Sequence, residues 1–250
     1  MKRPKRTAIV FGATGSVGGV VAERLARDGW NVAVHCLHNR EKAETIAEKV
    51  RRNGSSTMVL QGDTSDADVT RQMVENVYAE YGSVDGFVNL VFPDREYHGC
   101  RIDNMDWMEW KAPLESIHSY FNMCRYIVPL MRKNQFGRIV YISGGLAYRL
   151  YEGCSIFSTI KAGLNAFSKT LAIETGKDGI TVNIVSPGKV VNPEMDTVKF
   201  SQDDLKRCPL GRFAVPSDVA DAVSYFFSDS SNFVTGQTLY VSGGEIMPMP

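Results

Sequence analysis

The sequence predicts a doubly wound α/β domain, a seven-stranded parallel sheet with helices on both faces. Three observations point there. Short β-branched runs alternate with longer helical patterns along the 250 residues, the signature of successive βαβ units. Several runs are almost wholly apolar, as strands must be when helices cover both sheet faces. No linker, low-complexity tract or repeat breaks the alternation, so residues 1–250 read as one domain, long enough to bury a large core.

The first strand is Ala8–Phe11, and Gly12-Ala13-Thr14-Gly15-Ser16-Val17-Gly18-Gly19 turns the chain into a helix near Val17–Asp28. The remaining strands fall at Asn31–His35, Thr57–Gln61, Gly86–Leu90, Arg138–Ile142, Thr181–Val185 and Thr238–Val241. Between them helical periodicity covers Arg40–Arg52, Ala67–Tyr81, Leu114–Asn134, Ile156–Lys177 and Ser217–Ser228. In the helix after the fifth strand, Ile156, Ile160, Leu164, Phe167 and Leu171 form a stripe at three- and four-residue spacing, which must face a core. Two stretches leave the pattern. Pro93 to Pro113 is an irregular excursion with room for one short helix, and Gly188 to Gly211, with Pro193, Met195, Phe200 and Pro209, is a second. Both emerge beyond the carboxyl ends of strands, where doubly wound sheets bind ligands.

Composition excludes several classes. Twenty-eight basic and 28 acidic residues balance, which gives no electrostatic ground for nucleic acid or an anionic membrane. The basic start ahead of Ala8–Phe11 is followed by too short an apolar run for a signal-peptide core or a membrane span. Cys36, Cys100, Cys124, Cys154 and Cys208 are scattered and odd in number. That argues for a reducing, cytoplasmic setting and against a disulfide framework. The histidines show no metal-ligand spacing, so no metal is expected.

The turn after the first strand suits a phosphate: small residues bring the backbone close, and the helix start offers free N–H groups and a positive dipole end. Gly12, Thr14, Gly15, Ser16, Val17 and Gly18 are the residues that would cradle it. The second strand ends His35-Cys36-Leu37-His38-Asn39-Arg40, with no carboxylate to bind a ribose 2′-hydroxyl or repel a 2′-phosphate. NADP(H) is therefore favoured over NAD(H), with His38 or Arg40 as partner of the 2′-phosphate. The alternative for Arg40 is a plain charge in the first turn of a helix.

Further along, Ser155-Ile156-Phe157-Ser158-Thr159-Ile160-Lys161 resembles the Tyr-x-x-x-Lys helix of the short-chain dehydrogenase/reductase family. The resemblance runs from about Thr7 to Gly244 and implies a Rossmann-type fold. It assigns Asp63 and Thr64 to the adenine side, Asn89 to the Asn-Asn-Ala-Gly segment, and Pro187-Gly188 to the turn beside the nicotinamide. Ser16 stands where the family's Gly-x-x-x-Gly-x-Gly has its middle glycine; Gly12-x-x-Gly15-x-x-Gly18 is the spacing present.

At the catalytic positions the resemblance implies losses. Phe157 takes the place of the tyrosine acid, Gly144 that of the serine, and Ser116 that of the asparagine; Lys161 alone of the four is retained. A benzene ring has no exchangeable proton, so ordinary carbonyl reduction is expected to be severely impaired. Tyr148 and Tyr151, in the loop after the fifth strand, and Ser143 are the neighbours able to offer a hydroxyl; both tyrosines read equally well as loop packing.

Three readings stay open. One is an NADP(H)-binding oxidoreductase with a non-standard proton donor, reducing a small acyl or enone-type substrate. The second is a catalytically silent homologue acting as a partner subunit. The third is a non-redox cyclase, dehydratase or isomerase. The resemblance also implies association through the helices Leu114–Asn134 and Ile156–Lys177, giving a homo-oligomer, tetramer or dimer, or a hetero-oligomer with an active homologue.

Overall fold

A computed structural model describes residues 5–92, 101–193 and 202–248. Parts of both excursions, including Pro93, Cys100, Met195 and Phe200, lie outside these residues. Seven strands, β1 (Thr7–Phe11), β2 (Asn31–Cys36), β3 (Thr57–Gln61), β4 (Gly86–Asn89), β5 (Gly137–Ile142), β6 (Ile180–Pro187) and β7 (Thr238–Val241), form one sheet. All neighbours pair in parallel, in the order β3-β2-β1-β4-β5-β6-β7. The helices are α1 (Gly18–Arg27), α2 (Arg40–Arg52), α3 (Ala67–Tyr81), α4 (Trp107–Lys111), α5 (Glu115–Asn134), α6 (Ser155–Thr175), α7 (Gln202–Leu205) and α8 (Pro216–Phe227).

Strand alternation divides the core in two. Ala8, Val10, Val32, Val34, Val88, Val140 and Val185 face Val21 and Leu25 of α1, Ile46 of α2 and Val223 of α8. Their sequence neighbours Ile9, Phe11, Ala33, Phe87, Ile139, Tyr141 and Ile184 face Met73 of α3, Ile127 of α5 and the stripe Ile156, Ile160 and Leu164 of α6. Apolar residues at every position of a strand are thus two half-cores interleaved with period two.

Expected boundaries hold to within a few residues, and three differences have local causes. β4 stops at Asn89 because that side chain takes the Val91 N–H at 2.9 Å, turning the chain out of the ladder. β6 runs on to Pro187 because β7 pairs with Ser186 and Pro187 after the ladder with β5 has ended at Val185. α6 ends at Thr175 in a short 3₁₀ turn stopped by left-handed Gly179. The first excursion carries α4 and two short 3₁₀ turns. No described helix is long and apolar enough to cross a membrane.

Chain order reverses between β1 and β4, so the loops after these strands part and leave a crevice above their carboxyl ends. Behind it, Phe227 is sealed between Trp30, ring centroids 5.0 Å apart, and Gly86, where a methyl group would sit 2.6 Å from its ring. Phe227→Ala is expected to cost about 3–5 kcal/mol, read as a lowered denaturant midpoint with an unchanged slope. A loss below about 1 kcal/mol would show this contact to be slack.

Candidate functional site

The crevice is a cleft of about 660 Å³ lined from β1, β2, β3, β4 and α5, with Gly12, Thr14, Gly15, His38, Asp63, Thr64 and Ser116 on its walls. Its floor is the turn between β1 and α1. Gly12 has φ +77°, and a Cβ there would meet the Leu90 carbonyl group at 3.1–3.2 Å. A Cβ on Gly18 would lie 2.5 Å from the Gly12 oxygen. Both positions admit only glycine. Ser16 is exposed, so a side chain in place of the family's middle glycine costs nothing sterically. Among the described residues the backbone N–H groups of Thr14, Ser16 and Val17 have no acceptor. The first turn of α1 carries no acidic residue, leaving its positive end uncompensated.

His35, which motif reading passes over, braces this floor. It is 2% exposed. Its Nδ1 accepts the Gly12 N–H at 3.1 Å, and Nε2 lies 2.9 Å from the Gly62 carbonyl. Burial holds its pKa below the ordinary histidine value, so the ring is neutral at pH 7, and these partners place its hydrogen on Nε2.

At the adenine end, Arg40 does not face the cleft. Its guanidinium reaches Glu44 one turn along α2, at 3.3 Å, and borders a separate groove with Met58 and Gln61. The cleft is faced instead by His38 and by Lys42, a cation the motif analysis overlooked. No carboxylate stands at the end of β2; the acidic residues on the cleft wall are Asp63 and Glu115. Asp63 accepts from the N–H and hydroxyl of Ser65, both at 2.8 Å. Asn122 of α5, also unpredicted, donates to the carbonyls of Thr64 and Ser65 and holds that loop open. Asp66 caps α3 through the N–H groups of Asp68 and Val69. From the second excursion, Asn192 donates to the Ser16 carbonyl at 3.2 Å.

Beyond the cleft, at the ends of β4, β5 and β6, Lys161 carries its ammonium into a closed aromatic setting. Nζ donates to the Ile142 carbonyl at 3.0 Å. It lies 4.6 Å from the ring centre of Phe92, 5.2 Å from Tyr141 and 5.6 Å from Phe157. Burial pushes its pKa from 10.5 down to about 7, while the three ring faces favour the cation. Phe92 packs edge-on to Phe157 at 4.8 Å and also lines the cleft, joining the two regions. A Cβ on Gly144 would stand 3.3 Å from two carbons of the Phe157 ring, so a side chain at 144 would press on that ring. Beside it Gly145 is pressed by Ile246 of the C-terminal tail.

The other candidates divide. Among the described residues Ser143 Oγ and Asn89 Nδ2 are buried without a hydrogen-bond partner, donors held in reserve at the strand ends. Ser116 gives its hydroxyl to the Pro113 carbonyl at 2.7 Å, at the start of α5. Gly188 N–H is tied to Val241, and Pro187 is buried as the last residue of β6. Tyr148 does not offer a free hydroxyl: it accepts from Asn165 at 2.9 Å, lies 3.3 Å from Thr238, and packs on Tyr240. Tyr151 lies under Arg149 and lines a different hollow, with Arg101, Ser155 and Ser158. The structure therefore assigns Tyr148 to packing against β7 and places Tyr151 outside the cleft.

A family model described as enoyl-(acyl carrier protein) reductase matches residues 12–245. The chain is similar to 3-oxoacyl-(acyl-carrier-protein) reductase FabG of Staphylococcus aureus strain Mu50, 31% identical over 244 residues covering 97% of this chain and 98% of that protein. Nodulation protein G of Azospirillum brasilense is 32% identical over 245 residues, 96% and 98% of the two chains. The FabG of Chlamydia trachomatis serovar D is 32% identical over 248 residues, 96% of each.

Two predictions follow from the aromatic pocket. A serine at 144 presses on the Phe157 ring, so Gly144→Ser is expected to cost about 1–3 kcal/mol and much less when Phe157 is alanine. A double-mutant cycle in denaturant reads that coupling, and additivity would deny the contact. For Lys161, the unfolded chain binds the proton more tightly than the folded one between pH 7 and 10.5. Folding stability therefore rises with pH across that window. Lys161→Met removes this slope: the variant's advantage is greatest at pH 7 or below and shrinks toward pH 10. A pH-independent difference in melting between the two proteins would contradict it.

Proposed function

The chain belongs to the short-chain dehydrogenase/reductase family, and on that premise we propose that it is an NADP(H)-binding oxidoreductase with an atypical proton donor. The observation carrying this reading is the cleft itself: a glycine turn with unspent N–H groups leads past Phe92 to a buried lysine beside a ring without a hydroxyl. The residues fit a dinucleotide. Thr14, Ser16 and Val17 N–H groups and the α1 dipole would hold the pyrophosphate. Asp63 and Thr64 would border the adenine, and Asn89 Nδ2 has a donor to give. With no acid at the end of β2, and with His38 and Lys42 facing the cleft, a 2′-phosphate is the better-matched group.

The cofactor supplies hydride when bound; the chain must supply orientation, exclusion of water and a proton. In this reading Phe157 and Gly144 stand at the tyrosine and serine positions. Loss of a general acid costs roughly 10²–10⁴ in rate, and loss of an oxyanion donor roughly 10²–10³. Lys161 is the remaining group able to deliver a proton here, since burial brings it close to half-protonated at neutral pH. Reduction of an activated double bond needs less acid assistance than reduction of a ketone, because an enolate delocalises the charge. The relatives' names, 3-oxoacyl and enoyl reductases of carrier-bound acyl groups, support a small acyl or enone-type substrate.

A second reading is favoured by one observation. The Lys161 ammonium faces rings and a carbonyl, and is 6% exposed. A silent subunit that retains the nucleotide for structure would show the same enclosure. Exposed Phe121 on α5 and Ile173 on α6 lie on the helices proposed to pair copies of the chain.

The test is restoration. The native protein is expected to bind NADPH but to turn over 3-oxoacyl thioesters negligibly, and Phe157→Tyr with Gly144→Ser to raise that rate by about 10² or more. Steady-state loss of NADPH absorbance reads both. Brisk ketone reduction by the native protein would remove the proposal.

A further inference from the structure

We propose that His35 is a positioning residue: its neutral ring holds the glycine-rich turn in phosphate-accepting shape, which links dinucleotide binding to one protonation. The inference rests on the reading that the cleft binds a dinucleotide.

One residue secures two consecutive N–H groups of the turn. The His35 ring accepts from Gly12, and the His35 carbonyl accepts from Ala13 at 2.9 Å. On its far side the ring meets the Gly62 carbonyl at 2.9 Å, just before Asp63 and Thr64, so it spans from the phosphate floor to the adenine wall. Phe11 packs on the ring with centroids 5.3 Å apart, which blocks its rotation away. Gly12 cannot relax sideways either, since the Leu90 backbone lies against it.

A second proton would go on Nδ1 and point at the Gly12 N–H, setting donor against donor. The bond is lost and the turn must move, or the ring must reverse and abandon Gly62. Asp63, beside Gly62, favours the imidazolium, whereas burial opposes it more strongly. Of the other elements around the ring, β1 and the turn through Gly18 carry no ionisable side chain. β2 adds the buried thiol of Cys36. The cleft wall adds His38; Lys42, which disfavours another positive charge; and Glu115 of α5, which favours it. The neutral ring is thus the state built into the fold, and acid undoes it.

The experiment is calorimetric titration of the full-length protein with NADPH and with NADH between pH 8 and pH 5.5. It compares the native chain with His35→Asn, whose amide oxygen keeps an acceptor near Gly12 and cannot titrate. Native affinity is expected to be level from pH 8 to 7 and then to fall more steeply in acid than that of His35→Asn. The difference between proteins is the readout, because the 2′-phosphate of NADPH titrates in the same range. Equal slopes, or native binding that strengthens in acid, would overturn the role of His35 while leaving the dinucleotide reading intact. No binding of either nucleotide at pH 8 would sink that reading itself. If His35→Asn does not fold, nitrogen NMR of the native imidazoles decides. A neutral ring with its hydrogen on Nε2, whose titration tracks the affinity loss, supports the proposal; a ring charged at pH 7, or the other tautomer, ends it.

Discussion

Lys161 brings its ammonium from α6 to the end of β5, where the Ile142 carbonyl and the rings of Phe92, Tyr141 and Phe157 replace water. A buried cation needs compensation close by, or it gives up its proton. Here compensation comes from π faces and one carbonyl rather than from a carboxylate, and this arrangement constrains its surroundings. Phe157 sits one helical turn before the lysine, and a Cβ at Gly144 would come within 3.3 Å of its ring, so a side chain there requires the ring to give slightly. Phe92, drawn over the same ammonium, also lines the cleft beside the β1–α1 turn. Residues 144 and 157 are therefore in direct steric contact.

The other half of the site depends on backbone instead of charge. Gly12 and Gly18 allow the β1–α1 turn to fold back on itself, and His35 pins it to β2 and to the loop after β3. Asn122 and Asn192 tie the same region to α5 and to the segment after β6. These polar braces leave the N–H groups of Thr14, Ser16 and Val17 free while satisfying the groups around them. A preorganised anion site of this kind is built from groups separate from the Lys161 pocket.

Much of this was legible in the sequence because it follows from period and sterics. Apolar strands, the α6 stripe and the glycine spacing all reflect local geometry, and Phe157 and Lys161 are related by a single helical turn. The rest depends on register across the sheet. His35 reads as an ordinary strand residue until β1 and β3 are placed on either side of it. Phe92 precedes an irregular stretch and shows its importance only when α6 is packed beneath it. Arg40 was assigned by its place after β2, but Glu44 four residues on turns its guanidinium away, and Lys42 takes the cleft side. Tyr148 looked available in the loop after β5; Asn165 and the edge strand β7 claim its hydroxyl.

The central claim is that this pocket holds a reduced nicotinamide dinucleotide yet lacks the acid for ordinary ketone reduction. Single-turnover mixing of the native protein, saturated with C4-deuterated NADPH, against paired 3-oxoacyl and enoyl thioesters addresses it directly. The account predicts no fast deuterium incorporation into the 3-oxoacyl substrate, with any transfer confined to the enoyl partner. Rapid, stoichiometric labelling of the 3-oxoacyl substrate would contradict it.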